Sequence, residues 1–182
     1  TKDKSHYKFK RGYVASEYDG NYDLFIENRE DKPNKWKLTP LRDVIYRTNG
    51  IKVASTAQAS SQNAKEKWGA YWRIIRDEMM AEFALNNADK IVSVRDPHKP
   101  SKKLKKALEQ SKRTVNKVLV FSNTESEDEE LENIKEVYLF NGGALAFYSN
   151  KVRKIDDKLT PTILLTDLWS DLSWDGIAKE GG

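Results

Sequence analysis

Lys65, Gly69, Arg73 and Arg76 are spaced so that, at about 100° per residue, they fall within roughly 80° of one another on a helix, a cationic stripe with a small residue in it. Such a stripe suits a phosphate backbone, because cations gain affinity by displacing the counterions condensed on it. Just upstream, Thr56-Ala57-Gln58-Ala59-Ser60-Ser61-Gln62-Asn63 supplies short polar side chains of little bulk. Asn and Gln pair with adenine edges and Arg with guanine. Gln58, Ser60, Ser61, Gln62 and Asn63, with Arg47 and Asn49 before them, are therefore a candidate base-reading set. Downstream, Arg95, His98 and Lys99 lie in a loop that follows a β run, where an imidazole can donate to a phosphate, and Lys102, Lys103 and Lys106 follow on a second helical segment. Each feature also has an ordinary reading, since polar tracts are commonly loops and lysine faces commonly solvated. The nucleic-acid reading expects these cations to converge on one continuous concave wall.

Other chemistries find little support. The chain has no cysteine and two histidines, His6 and His98, so disulfides, thiolate metal sites and a multi-histidine centre are excluded. Asp96-Pro97-His98-Lys99 has the opening of an Asp-Pro-Pro-Tyr tetrad but not the aromatic ring that stacks on a flipped base, so it reads as a turn. There is no Gly-x-Gly-x-x-Gly or Walker loop; Asn141-Gly142-Gly143 lies between β runs and reads as a turn. A nuclease set can be drawn from Asp128, Glu132 and Lys135, but seven acids within Glu125–Glu136 read as a solvated loop.

The elements that must position the cations follow from periodicity. Asn63 with Glu66 has the form of a capping box, and Ala64, Trp68, Tyr71, Trp72, Ile75 and Met79 recur at helical steps, which predicts one long amphipathic helix over about 62–86 with that face buried. Ser101 caps a shorter basic helix over about 102–113. Lys90–Arg95, Lys117–Ser122 and Thr162–Thr166 read as strands, and Val137–Phe140 with Ala144–Tyr148 as a hairpin. Thr39 to Gly50 fits a short helix, while Val44 to Val53 fits a hairpin equally well. Residues 1–38 read as an irregular arm with one or two short strands, Tyr22–Ile26 the best of them. The fold class is α+β: a small mixed or antiparallel sheet against the two helices.

The 182 residues are long enough for one domain with a real core. The net charge is +4, unevenly placed: eight Lys and Arg against two acids between Arg95 and Arg113. No apolar run approaches a membrane span or a secretion signal, so the expectation is a cytoplasmic protein with no membrane partner. Beginning on Thr1 and ending on Gly181-Gly182, the chain reads as a piece of something longer.

Val44–Asn63 (VIYRTNGIKVASTAQASSQN), Lys67–Met80 (KWGAYWRIIRDEMM), Ile91–Ser101 (IVSVRDPHKPS), Tyr138–Asn150 (YLFNGGALAFYSN) and Asp167–Gly182 (DLWSDLSWDGIAKEGG) together resemble a family. It is the DNA adenine-N6 methyltransferases of bacterial restriction-modification systems, particularly type III modification subunits. There, similar text lies between the half with the Asp-Pro-Pro-Tyr tetrad and the half with the Gly-rich S-adenosylmethionine loop, and serves target recognition. The resemblance implies a recognition-domain fragment: residues 39–166 as its α+β body and 167–182 leading back into the methyltransferase core. Both catalytic motifs are absent, so no methyl transfer is expected of these residues, and the cofactor, S-adenosylmethionine, belongs to the parent enzyme. The implied partners are double-stranded DNA, the remainder of the methyltransferase and, in type III systems, a restriction subunit; an apolar face bared by excision would favour a homodimer. The alternatives are a metal-dependent nuclease and a protein-interaction module built on the acidic loop and the Trp169–Trp174 segment.

Overall fold

The computed structural model describes residues 12–122 and 136–165. Its content is α+β. Where length alone suggests one domain, contacts divide the chain into two compact units, Asp19–Asn150 and a second of which residues 12–18 and 151–165 are described.

The larger unit is built on a six-stranded sheet in which every neighbouring pair is antiparallel. Its strands are β2 (Leu24–Ile26), β3 (Leu38–Pro40), β4 (Ile91–Arg95), β5 (Leu119–Ser122), β6 (Glu136–Phe140) and β7 (Gly143–Phe147); the first strand of the chain, β1 (Tyr13–Ala15), belongs to the other unit. They lie in the order β3-β2-β4-β7-β6-β5. The strand expected at Tyr22–Ile26 within the N-terminal arm forms as β2, and it is an inner strand, held between β3 and β4. β6 and β7 form the expected hairpin. Its two turn residues, Asn141 and Gly142, both have positive φ (48° and 89°), as the tight turn that matches strand twist requires.

Alternation along the strands gives each face its residues. Ile26, Val92, Phe140 and Leu145 share one face and, with Trp36 and Val118, form a core cluster. The Arg29 guanidinium lies over Trp36 (4.3 Å) and Phe147 (4.8 Å) and donates to the Asp89 carbonyl at 3.3 Å. The opposite face carries Phe25, Ile91 and Leu139.

Among the described residues of this unit there are four α-helices: α1 (Leu41–Thr48), α2 (Ala57–Trp68), α3 (Trp72–Asn86) and α4 (Lys102–Arg113). The open choice at residues 39–53 resolves to a helix, because Leu41, Val44 and Ile45 recur at one helical face and are all buried. It ends where Asn49 donates to the Ile45 carbonyl (2.7 Å) and Gly50 turns to φ 73°. Phe25 meets Phe83 edge to face at 5.2 Å, placing α3 on the Phe25 face. A second cluster, Tyr46, Ile51, Ala64 and Trp72, joins α1, α2 and α3.

The smaller unit is a three-stranded antiparallel sheet, β1 (Tyr13–Ala15), β9 (Lys158–Leu164) and β8 (Val152–Ile155). Arg153 stacks 3.4 Å from the Tyr13 ring centroid and donates to the buried Thr162 hydroxyl at 2.8 Å. Residues 167–182, read as the way back to a methyltransferase core, lie outside the described residues, as does most of the acidic run Glu125–Glu136.

Candidate functional site

The long helix predicted over 62–86 begins earlier and is interrupted. The Thr56 hydroxyl, not the Asn63 side chain, caps it by accepting from the Ala59 amide at 3.2 Å. The physical reason lies in the tract: it contains neither Gly nor Pro, and its alanines and glutamines are good helix formers, so helix extends back to the first hydroxyl able to cap it. Gly69, at φ 79°, then ends α2, and a 3-10 turn over Gly69–Tyr71 leads into α3. This break changes the helical phase. Tyr71, expected on the buried face, is 72% exposed, while Trp72 keeps its place in the core at 8%.

The helical tract sorts the candidate readers into two groups. Ser60 is buried; its hydroxyl accepts from the Ala54 amide at 2.8 Å and donates to the Thr56 carbonyl at 3.1 Å. Asn63 donates to the Lys52 carbonyl at 2.9 Å. Both side chains tie the 52–54 segment to α2 rather than face outward. Gln58, Ser61, Gln62 and Lys65, at i, i+3, i+4 and i+7, share the other face. They line an open pocket of about 660 Å³ together with Ala70, Trp72, Arg73 and Arg76.

The pocket's electrostatics come from α3. The Arg73 and Arg76 guanidinium carbons lie 4.9 and 5.2 Å from the Trp72 ring centroid, within cation–π range. Arg76 also reaches the Tyr46 hydroxyl at 3.5 Å and Asp77 at 3.0 Å. Burial disfavours its charge, but the hydrogen bonds to Tyr46 and Asp77 and the Asp77 carboxylate outweigh that, and its pKa is raised. The site therefore sets three cations, two amides and a hydroxyl around the edge of one buried indole. It can neutralise an anion and, beside it, offer both donors and acceptors to a planar polar group.

Arg47 and Asn49 do not join this pocket. Arg47 pairs with Glu27 at 3.1 Å, and Asn49 caps α1, its carbonyl accepting from Lys67. Arg95, at the end of β4, lies 5.2 Å from the Tyr22 centroid and donates to the Ser93 hydroxyl at 3.1 Å. His98 and Lys99 are exposed in the following loop, Lys99 with φ 47°. Lys102, Lys103 and Lys106 are exposed on α4, whose Ser101 cap forms as predicted, accepting from the Leu104 amide at 3.2 Å.

These cations fall into two regions of the larger unit rather than one wall. Helix α1, which carries α2 and α3, contacts β2 and β3 at one end of the sheet; α4 contacts β5, β6 and β7 at the other. Sequence reasoning gathered the cations by type; it missed the strand order, because the strands between the helices pair out of chain order. It also missed Trp72 as the platform beneath two guanidinium groups, although the Trp-Arg-x-x-Arg spacing carries that signal.

Among the described residues no group of three or more His, Asp or Glu is placed to hold a metal ion, and the proposed nuclease set Asp128, Glu132 and Lys135 lies outside them. Among the same residues no helix is long and apolar enough to cross a membrane. Comparison with known protein families, with curated proteins and with solved structures finds no match to this chain.

Proposed function

We propose that this chain is a recognition domain for double-stranded DNA and that the α2–α3 pocket is its reading site. One observation carries the proposal: six of the eight residues lining that pocket, Gln58, Ser61, Gln62, Lys65, Arg73 and Arg76, are cations or short polar groups able to contact phosphates or base edges. Lys65 and Arg73 are exposed and contact phosphates; Gln58 and Gln62 sit one helical turn apart and read base edges. The segments noted in the sequence, KWGAYWRIIRDEMM among them, support a narrower form, in which the domain serves a site-specific DNA adenine-N6 methyltransferase of a restriction-modification system. On that reading the chain is not itself an enzyme. The remainder of the methyltransferase supplies methyl transfer and S-adenosylmethionine binding in the cytoplasm, with a restriction subunit or a second copy as further partners.

The test is fluorescence anisotropy with a labelled duplex of about one helical turn, 10 bp, titrated across salt. Each phosphate contact contributes about 0.9 to the slope of log affinity against log salt, so Lys65 and Arg73 together predict about 1.8. The Arg73→Ala variant is expected to lose about half of that slope. Absence of binding, or affinity flat in salt, overturns the proposal.

A further inference from the structure

Helix α4 has a composition that helix stability does not explain. Its sequence, KKLKKALEQSKR, puts four lysines in the first five positions, where the amide ends of the helix already carry partial positive charge. Lys102 faces Lys105 and Lys106 across one turn, a like-charge spacing that weakens a helix. Glu109 is the one acid in it, and it lies 3.6 Å from Lys112. A surface chosen for stability would carry acids at the helix start and mixed signs along it.

The helix is nevertheless firmly mounted. Ser101 caps it, the Ser111 hydroxyl accepts from the Gly142 amide at 2.9 Å, and the Lys112 stem packs where a side chain at Gly142 would stand. Next to it, the Asn116 amide donates to Asn141 at 3.1 Å. Leu104 and Ser111 are buried against the sheet, and Lys102, Lys105 and Lys106 are exposed. Leu139, on the Phe25 face, is 1% exposed, whereas Val94 and Val120 on the reverse are 39% and 45% exposed. An element that touches β5, β6 and β7 and leaves Val94 and Val120 open covers the Leu139 face, the one that α3 also occupies.

We infer that α4 is a second contact for the DNA backbone, independent of the reading pocket, which grips phosphates outside the segment that the pocket reads. The inference rests on the DNA reading of the α2–α3 pocket and adds a footprint to it. Helix α4 sits on β5, β6 and β7, and α3 meets β2 toward the other end of the same face, so the pocket and α4 meet different stretches of one duplex. A duplex that fills the pocket alone leaves α4 unused, and a longer duplex recruits it. Lysine is the fitting residue here because a mobile point charge contacts phosphate without selecting sequence.

The experiment compares the chain with its Lys102→Ala/Lys105→Ala/Lys106→Ala variant on duplexes of about one and about two helical turns, roughly 10 and 20 bp. The unaltered chain is expected to bind the longer duplex more tightly and with a salt slope steeper by about 2.7, three contacts at about 0.9 each. The variant is expected to bind the short duplex as before and to lose the gain from length. Its loss of affinity between roughly 50 and 200 mM salt becomes about 40-fold smaller on the longer duplex. Its thermal midpoint stays level or rises, because alanine favours helix and the charges opposed the dipole. Unchanged slope and affinity on the longer duplex overturn the inference while leaving the pocket reading intact. A lowered thermal midpoint with the affinity loss also overturns it, assigning the lysines to the fold. Failure of the unaltered chain to bind either duplex defeats both readings.

Discussion

The α2–α3 pocket and the α4 face are both cationic, but their cations stand in opposite settings. In the pocket Arg73 and Arg76 lie against a buried indole, Asp77 and Tyr46 hold Arg76, and Gln58, Ser61 and Gln62 sit beside them. Trp72 is fixed by packing and Arg76 by its partners, and the exposed Arg73, Gln58 and Gln62 are arranged around that fixed centre, as reading a pattern of donors and acceptors demands. On α4 the lysines surround the positive end of a helix whose hold on the sheet comes from its other side, through Leu104 and Ser111. The fold fixes their line and leaves the ammonium groups to the flexible stems. Equal charge therefore does not mean equal work: one region combines charge with geometry, the other supplies charge alone.

The comparison breaks first at Trp72. Replacing this nearly buried ring by alanine removes the floor of the pocket and a member of the helical core, at an expected cost of about 3–5 kcal/mol. Urea denaturation measures it. A loss below about 1 kcal/mol, on the same scale, would mean that the guanidinium groups are held by something other than the indole.

The two helix caps sharpen the contrast at smaller cost. Thr56→Ala and Ser101→Ala each remove an acceptor from an amide at a helix start, with an expected loss of about 1 kcal/mol. The α4 cap is the larger of the two, because lysines near that end already cost roughly 0.3–1 kcal/mol each where an acid would help, whereas α2 starts on Ala57 and Gln58. Denaturation of both variants at low and moderate salt separates the cases: screening the lysines narrows the difference. Equal losses at every salt concentration would remove the electrostatic distinction between the helices.

How much of this was readable from the chain depends on which forces are local. Ser101, the α4 pattern and the Asn141-Gly142 turn act within a few residues and were legible. The fold class followed, since strand alternation and helical periodicity are local too. Thr56 was overlooked because Asn63-x-x-Glu66 offered a stronger-looking cap signal; nothing in that motif shows that the helix has already started. Tyr71 was misplaced because one positive-φ glycine resets the phase of every later residue. Pairing of Arg47 with Glu27, 20 residues earlier, and separation of α4 from α2 depend on strand order, which no local pattern encodes.

Arg47 supplies the smallest expected effect and a third kind of cation, one already neutralised at home. Glu27 holds both Arg47 at 3.1 Å and Lys37 at 3.5 Å. Burial raises its pKa, but the Arg47 hydrogen bond and the Lys37 charge outweigh that and leave it below the ordinary carboxylate value. A depressed folded-state pKa means that the contribution to stability is present above the unfolded value, near 4.3 for glutamate. It is lost as pH falls through the lower folded value. The exposed setting keeps it small. Glu27→Gln is expected to flatten the stability profile below about pH 4.3 and to free Arg47 and Lys37, so that duplex affinity near neutral pH rises a few-fold with a salt slope steeper by up to about 1.8, two contacts at about 0.9 each. If anisotropy shows no change in slope, the Glu27 side of the sheet lies away from the DNA. The binding face is then confined to the pocket and α4.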